Sequence, residues 1–276
     1  MYTNVEKLLP KGIAIKSSKY KAGFKRRPGF LLRSIKGITV HSTANLLSIA
    51  YGEAAWLVNP NNERIASWHT AIDEHFAVTV IPHNEVAYGT TSGENNWTYI
   101  QLEICESGNR EVVLSNAIDW CARQCIEHNL LDAHKSIKQH ADFQVKNCPR
   151  ILRDTGRWNW FVDEIQERIN DIIEQTKYNT ETERLMTYLT QELKVASPDL
   201  WRGYISKPMK INPTHVIQLI NKIVKNNSQD IKLLIQLLII KRIINSPTYW
   251  ELSLTGKMTI NKDYLRLFIS NAIKAK

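Results

Sequence analysis

The chain has 276 residues, 43% hydrophobic and 23% charged, enough apolar content for a packed core and too much for a disordered chain. Its net charge of +9 is uneven: residues 1–40 carry ten Lys/Arg against one Asp/Glu, residues 41–180 eleven against nineteen, and residues 181–276 fifteen against seven. Four cysteines without a CxxC pair exclude a disulfide scaffold, and no apolar run approaches the ~18–20 residues that span a bilayer.

Residues 1–29 read as a basic lead-in, extended where Pro28 disfavours helix at Arg27. The first twenty residues have no apolar core followed by a small-residue cleavage site, so a signal peptide is not expected. The string GITVHST predicts a strand ending at His41, since Ile38, Thr39 and Val40 suit a strand and polar residues follow at once. A short helix is expected over 48–58, stopped by Asn59-Pro60-Asn61-Asn62. Strands are expected over 65–72, 76–81 and 97–104, and amphipathic helices over 112–128 and 159–174. Strands interleaved with helices make 30–175 an α/β or α+β domain, followed by a polar linker at 176–183.

Beyond the linker the sequence repeats. Residues 197–225 align without a gap on 246–274, with identities at Ser197/Ser246, Pro198/Pro247, Trp201/Trp250, Met209/Met258, Ile211/Ile260, Asn212/Asn261, Ile220/Ile269 and Lys225/Lys274. Each copy follows an apolar helical stretch, so 184–276 is expected to be two helical repeats of about 49 residues. Trp201 and Trp250 read first as the cores of their units, with sugar stacking by them and by Tyr204 and Tyr249 as the alternative. The basic ends suit an anionic partner, though a solvated surface explains residues 1–40 equally well. No aromatic-basic RNA motif or groove-reading helix is recognisable, so nucleic acid is not an expected partner.

The residues with metal-ligand chemistry are His140 and Cys148, eight apart around a loop, and His41 at its strand end. Nitrogen and sulfur donors suit Zn²⁺, and three protein ligands leave one coordination position open for catalysis. Taken singly, each histidine is more often a surface or core residue, and Cys148 more often a small buried hydrophobe.

Four strings in order, ITVHSTAN, ASWH, QLEIC and QH followed after seven residues by CPR, resemble the zinc-dependent N-acetylmuramoyl-L-alanine amidases of the type-2 family, found in phage endolysins and bacterial autolysins. Peptidoglycan-recognition proteins share that fold. The resemblance covers roughly residues 25–170 and leaves the repeats outside. It implies a central mixed β-sheet flanked by helices, followed here by a small all-α tandem-repeat module. It implies His41, His140 and Cys148 as ligands of one Zn²⁺, Glu103 as the group acting on the attacking water, and Lys146 as the stabiliser of the developing oxyanion. His69 matches a histidine beside the site, and Trp68 stands where some relatives have a catalytic tyrosine. Both are expected at the substrate, and the base role then falls on Glu103.

The implied activity is hydrolysis of the amide between N-acetylmuramic acid and L-alanine in peptidoglycan, causing wall lysis. The repeats are expected to bind the wall, with peptidoglycan and an anionic wall polymer as partners. Such a protein is expected to be made in the cytoplasm and to act on the wall after release. The competing reading is a peptidoglycan-recognition protein that binds without cleaving. Relatives of that kind typically lose a zinc ligand, and this chain keeps all three.

Overall fold

The computed structural model describes residues 1–12, 14–15, 24–91 and 93–275, and resolves two compact units, Met1–Ile172 and Ile173–Lys276. The first unit carries β1 (Thr3–Glu6), β2 (Ala14–Ile15), β3 (Phe24–Lys25), β4 (Gly37–Ser42), α1 (Ala50–Val58), β5 (Thr70–Ile72), β6 (Phe76–Thr79), α2 (Gly93–Thr98), β7 (Tyr99–Ile104), α3 (Arg110–Glu127), α4 (Ala133–Ser136), β8 (Ile137–Gln139) and α5 (Arg150–Arg153). The helix α6 (Trp158–Thr187) begins in it.

Six strands form one mixed sheet in the order β1-β6-β5-β7-β4-β8, antiparallel only between β5 and β6. Every residue of β4 is buried, which explains why its sequence is an apolar run rather than a strict alternation. At Gly37 a Cβ would run into the Ser136 carbonyl oxygen, so glycine lets β4 and the start of β8 approach closely. Helix α1 packs over β5 and β6, where Ala50, Ala54 and Leu57 meet Ala71, Val78, Val80 and Trp68. Helix α3 is capped by Asn109, whose side chain accepts from the Glu111 and Val112 amides.

Three expectations are corrected. Part of the basic lead-in, residues 13 and 16–23, lies outside the described residues, but its neighbours belong to the fold. Thr3–Glu6 adds an edge strand to the sheet. Arg26 and Arg27 are buried: Arg26 donates to the Leu57 and Asn59 carbonyls at the end of α1, and Arg27 forms a two-pronged ion pair with Glu85 at 2.8 and 2.9 Å. Their charge is used inside the domain. Residues 65–69 lie outside the strand that begins at Thr70. Residues 176–183 are helical rather than a linker. Their Thr and Asn content argues against helix in isolation, but the Tyr178 hydroxyl donates to the Ile205 carbonyl at 3.0 Å and Thr182 is buried, so packing overrides propensity.

The second unit continues through a π-helical turn, Tyr188–Glu192, to α7 (Pro198–Ser206), α8 (Pro213–Val224), α9 (Ile231–Ile240), α10 (Pro247–Leu254) and α11 (Lys262–Lys274). The offset of 49 maps the starts of α7 and α8 onto those of α10 and α11. Asn212 and Asn261 are equivalent caps, accepting from the Thr214 and Asp263 amides at 2.9 and 2.7 Å. Trp201, Tyr204 and Trp250 are buried in one core with Leu219, Ile220, Phe268 and Ile269. Burial rules out open stacking faces on both tryptophans.

Candidate metal centre

The centre forms at the carboxyl ends of three parallel strands. His41 is the fifth residue of β4, and its register partner on β7 is Glu103. On the other side, Val40 pairs with Gln139, so His140 emerges from β8 level with His41. Residues two apart share a face of a strand, and the next level down holds Thr39 and Gln101, also register partners. Polar side chains therefore stack in two layers on otherwise apolar strands.

His41 Nδ1 lies 2.8 Å from His140 Nδ1 and 4.0 Å from Cys148 Sγ. All three residues are buried, and their ligand atoms lie within 4.8 Å of one another. The orientation of His41 is fixed from behind. Its Nε2 sits 2.9 Å from the Gln101 side-chain oxygen, which can only accept, so the hydrogen is on Nε2 and Nδ1 keeps its lone pair. The Gln101 amide donates to Asn95 Oδ1 at 3.1 Å, and Asn95 donates to Thr39 Oγ1 at 2.7 Å.

Burial pushes His41 down to about 3, helped by its neighbour His140, and lowers His140 to about 4, helped by Lys146. Burial raises Cys148 to about 12, Glu103 adding to the effect. Both imidazoles are thus neutral at pH 7, the form that ligates metal. The thiol stays protonated until a cation offsets its burial. Glu103 is raised to about 8, chiefly by burial and then by the Glu53 carboxylate, while Lys146 opposes the shift. Its Oε2 is buried without a hydrogen-bond partner among the described residues. Lys146 is exposed on the loop before Cys148 and close enough to bias both imidazoles and Glu103.

Trp68 and His69 are placed differently from the expectation of substrate contact. Trp68 is buried and stacks on Trp56 with ring centroids 5.6 Å apart. His69 is fully buried, its Nε2 bonded to the Glu85 carbonyl at 2.7 Å and its Nδ1 accepting the Gln101 amide at 2.8 Å. The resemblance put both residues beside the site, but the chain turns them into the core. His69 acts on β7 instead, at the residue that orients His41.

Two residues escaped the sequence reading. Gln101 could have been found as a polar residue at the buried position two before Glu103. Glu106 has no such signal: it accepts from the Ala44 amide at 2.9 Å and from Arg150 Nε at 3.0 Å, linking the loops after His41 and after Cys148.

A family model described as N-acetylmuramoyl-L-alanine amidase matches residues 31–151. The chain is 29% identical over 144 residues to the N-acetylmuramoyl-L-alanine amidase XlyB of Bacillus subtilis, covering 50% of this chain and 44% of that protein. It is 32% identical over 128 residues to the amidase CwlA of the same species, covering 44% and 45%. The chain thus spans about half the length of the curated relatives it matches. A solved mutant endolysin from Bacillus subtilis aligns at 30% identity with a TM-score of 0.51, covering 60% of this chain and 99% of that one.

Proposed function

The chain belongs to the type-2 N-acetylmuramoyl-L-alanine amidase family, and from that premise we propose that it is a zinc amidase cleaving the bond between N-acetylmuramic acid and L-alanine in peptidoglycan. The observation that carries this is the convergence of His41, His140 and Cys148 beside the orphaned Glu103 carboxylate. The donor set fits the metal: tetrahedral zinc with bonds of about 2.0–2.1 Å to nitrogen and about 2.3 Å to sulfur needs N–N and N–S separations of roughly 3.3 and 3.5 Å. The 2.8 and 4.0 Å separations reach those values with shifts of about half an ångström. Bound there, zinc would polarise the scissile carbonyl and make water a nucleophile near neutral pH.

The protein groups supply the rest. Among the described residues Glu103 is the one carboxylate beside the three ligands with an unsatisfied buried oxygen, and it takes the proton of the attacking water and hands it to the leaving amine. A base near neutrality is matched to that task, and burial moves Glu103 in that direction. Lys146, exposed on the loop before Cys148, is the cation proposed to stabilise the oxyanion. Gln101 and His69 hold His41 in its ligating tautomer.

The second unit, with its excess of Lys and Arg, is the part proposed to hold the enzyme on an anionic wall and so raise its local concentration. Among the described residues no helix is long and apolar enough to cross a membrane. The test is the end group released from purified peptidoglycan. New L-alanine amino termini, lost with a chelator and restored by Zn²⁺, are expected. Wall binding without new termini, from protein that contains zinc, would refute the catalytic reading in favour of recognition alone.

A further inference from the structure

The two helical repeats share one internal bond and differ beside it. In the first, Lys222 Nζ donates to the Lys194 carbonyl at 3.4 Å; 49 residues on, Asn271 Nδ2 donates to the Ile243 carbonyl at 3.1 Å. At the corresponding place in the second repeat Tyr249 stacks on Tyr264, centroids 4.5 Å apart, with the Tyr249 hydroxyl accepting the Asn261 amide. The equivalent positions of the first repeat are Leu200 and His215, and there a cavity of about 210 Å³ opens.

Every polar side chain lining that cavity can donate a hydrogen bond, and none is acidic. Lys194 and Lys222 bring two ammonium groups, and Ser197 a hydroxyl at the start of α7. The Tyr204 hydroxyl accepts the Asn212 amide at 3.3 Å and shares a hydrogen bond with His215 Nδ1 at 2.8 Å. The other ring nitrogen, Nε2, has no protein partner among the described residues. Trp201 is only 5% exposed and lines the same cavity. Its indole N–H has no acceptor among the described residues and is not sealed into the core, whereas that of Trp68 is. An unpartnered indole N–H, an imidazole held by Tyr204 and two lysine ammonium groups around one open pocket make a site for a compact anion. The second repeat has Ile243 and Asn271 in place of the lysines and a stacked tyrosine pair in place of Leu200 and His215.

We propose that the first repeat binds a phosphate ester of a polyol or small sugar in this cavity, the repeating chemistry of an anionic wall polymer. The choice of polymer rests on the wall-lysis reading above; the anion site does not. The volume holds on the order of seven waters, enough for a polyol phosphate and too little for a nucleotide with its base.

The test is calorimetric titration of the whole chain with sn-glycerol 3-phosphate, paired with the indole N–H resonances. Saturable binding that moves a single indole resonance is expected. The double substitution Lys194→Gln/Lys222→Gln should weaken it by about tenfold or more, as removal of charge-assisted contacts does. The double substitution Leu200→Tyr/His215→Tyr installs the aromatic pair of the other repeat, so it should fold with an unchanged melting temperature and abolish binding. Undiminished binding by the tyrosine variant, or no saturable binding by the unsubstituted chain, overturns the proposal. Tighter binding of galacturonate overturns the choice of phosphate, and tighter binding of a single-stranded DNA oligomer overturns the choice of polymer. No peptidoglycan is present, so failure here leaves the amidase reading untouched, and failure of end-group release leaves this one untouched.

Discussion

Replacing Gln101 by Leu isolates the group that orients the first metal ligand. The substitution keeps a side chain of similar bulk where space is tight: a Cβ on Gly89 would collide with the Gln101 amide. It removes the acceptor of the His41 Nε2 hydrogen at 2.9 Å and the donor to Asn95 at 3.1 Å. Asn95 keeps its bond to Thr39, so the loss is concentrated on His41. A buried N–H left without a partner costs about 1–3 kcal/mol, and the imidazole is then free to place its hydrogen on Nδ1, the wrong nitrogen for ligation. Loss of such an outer partner typically lowers metal affinity about 10- to 100-fold, or roughly 1.4–2.7 kcal/mol. The assay is zinc affinity by competition with a chromogenic chelator, with melting of the metal-free protein measured alongside. Affinity within about twofold of wild type would refute the reasoning, because nothing else in the described structure fixes that tautomer.

Glu103→Gln should retain full zinc content while end-group release falls by about 10²–10⁴-fold, and parallel loss of zinc would show that Glu103 holds the site together instead. The Glu85 carboxyl lies below its ordinary range because Arg27 donates to both its oxygens. Its contribution is therefore complete above the unfolded value of about 4.3 and is lost as pH falls through the lower folded value. Melting curves of Glu85→Gln should be less stable at neutral pH and flatter than wild type below about pH 4. Trp250→Ala, at a side chain 3% exposed and packed 5.0 Å from Phe268, should destabilise the second unit by about 3–5 kcal/mol. Circular dichroism is expected to register that loss while turnover of a soluble muropeptide persists; loss of both would contradict the division into two units.

What was legible depended on whether the deciding physics was local. The strand carrying His41 was readable because a central parallel strand is a short apolar run, and a histidine ending one is conspicuous. The repeat was readable because the same Ser-Pro start, tryptophan and asparagine cap recur at one offset, each with a local role. Arg26 and Arg27 were misread because their partners, the end of α1 and Glu85, lie 31 to 58 residues away and composition cannot reveal them. Residues 176–183 were misread for the same reason: Tyr178 finds its acceptor 27 residues on. Trp68 and His69 followed from resemblance alone, which transfers position along the chain but not the direction a side chain faces. Gln101 lay one alternation from Glu103 and was there to be seen.

Glu106 shows how the chain holds three ligands from distant segments in one place. Its side chain is 1% exposed. One oxygen caps the Ala44 amide at 2.9 Å, where the backbone takes a left-handed turn just past His41. Both oxygens receive Arg150, two residues beyond Cys148, and the Arg150 amide donates to Ser42 Oγ at 3.0 Å. The Glu106 amide itself donates to Ser48 Oγ at 2.8 Å, closing the loop of residues 43–48. A single carboxylate at the end of β7 thus fastens the segment after the first ligand to the segment after the third. Glu106→Gln preserves volume and can still accept from Ala44, but it presents a neutral amide, half of it donor, to a guanidinium. Arg150 is partly exposed, so solvent recovers some of the loss, and a destabilisation of about 1–3 kcal/mol is expected. The sharper readout is local: amide exchange should accelerate at Ala44 and around Arg150 more than in β4, and zinc affinity should fall although no ligand was touched. Uniform acceleration across the domain would mean that Glu106 serves global stability alone, and unchanged zinc affinity would mean that the three strand ends hold the ligands without it.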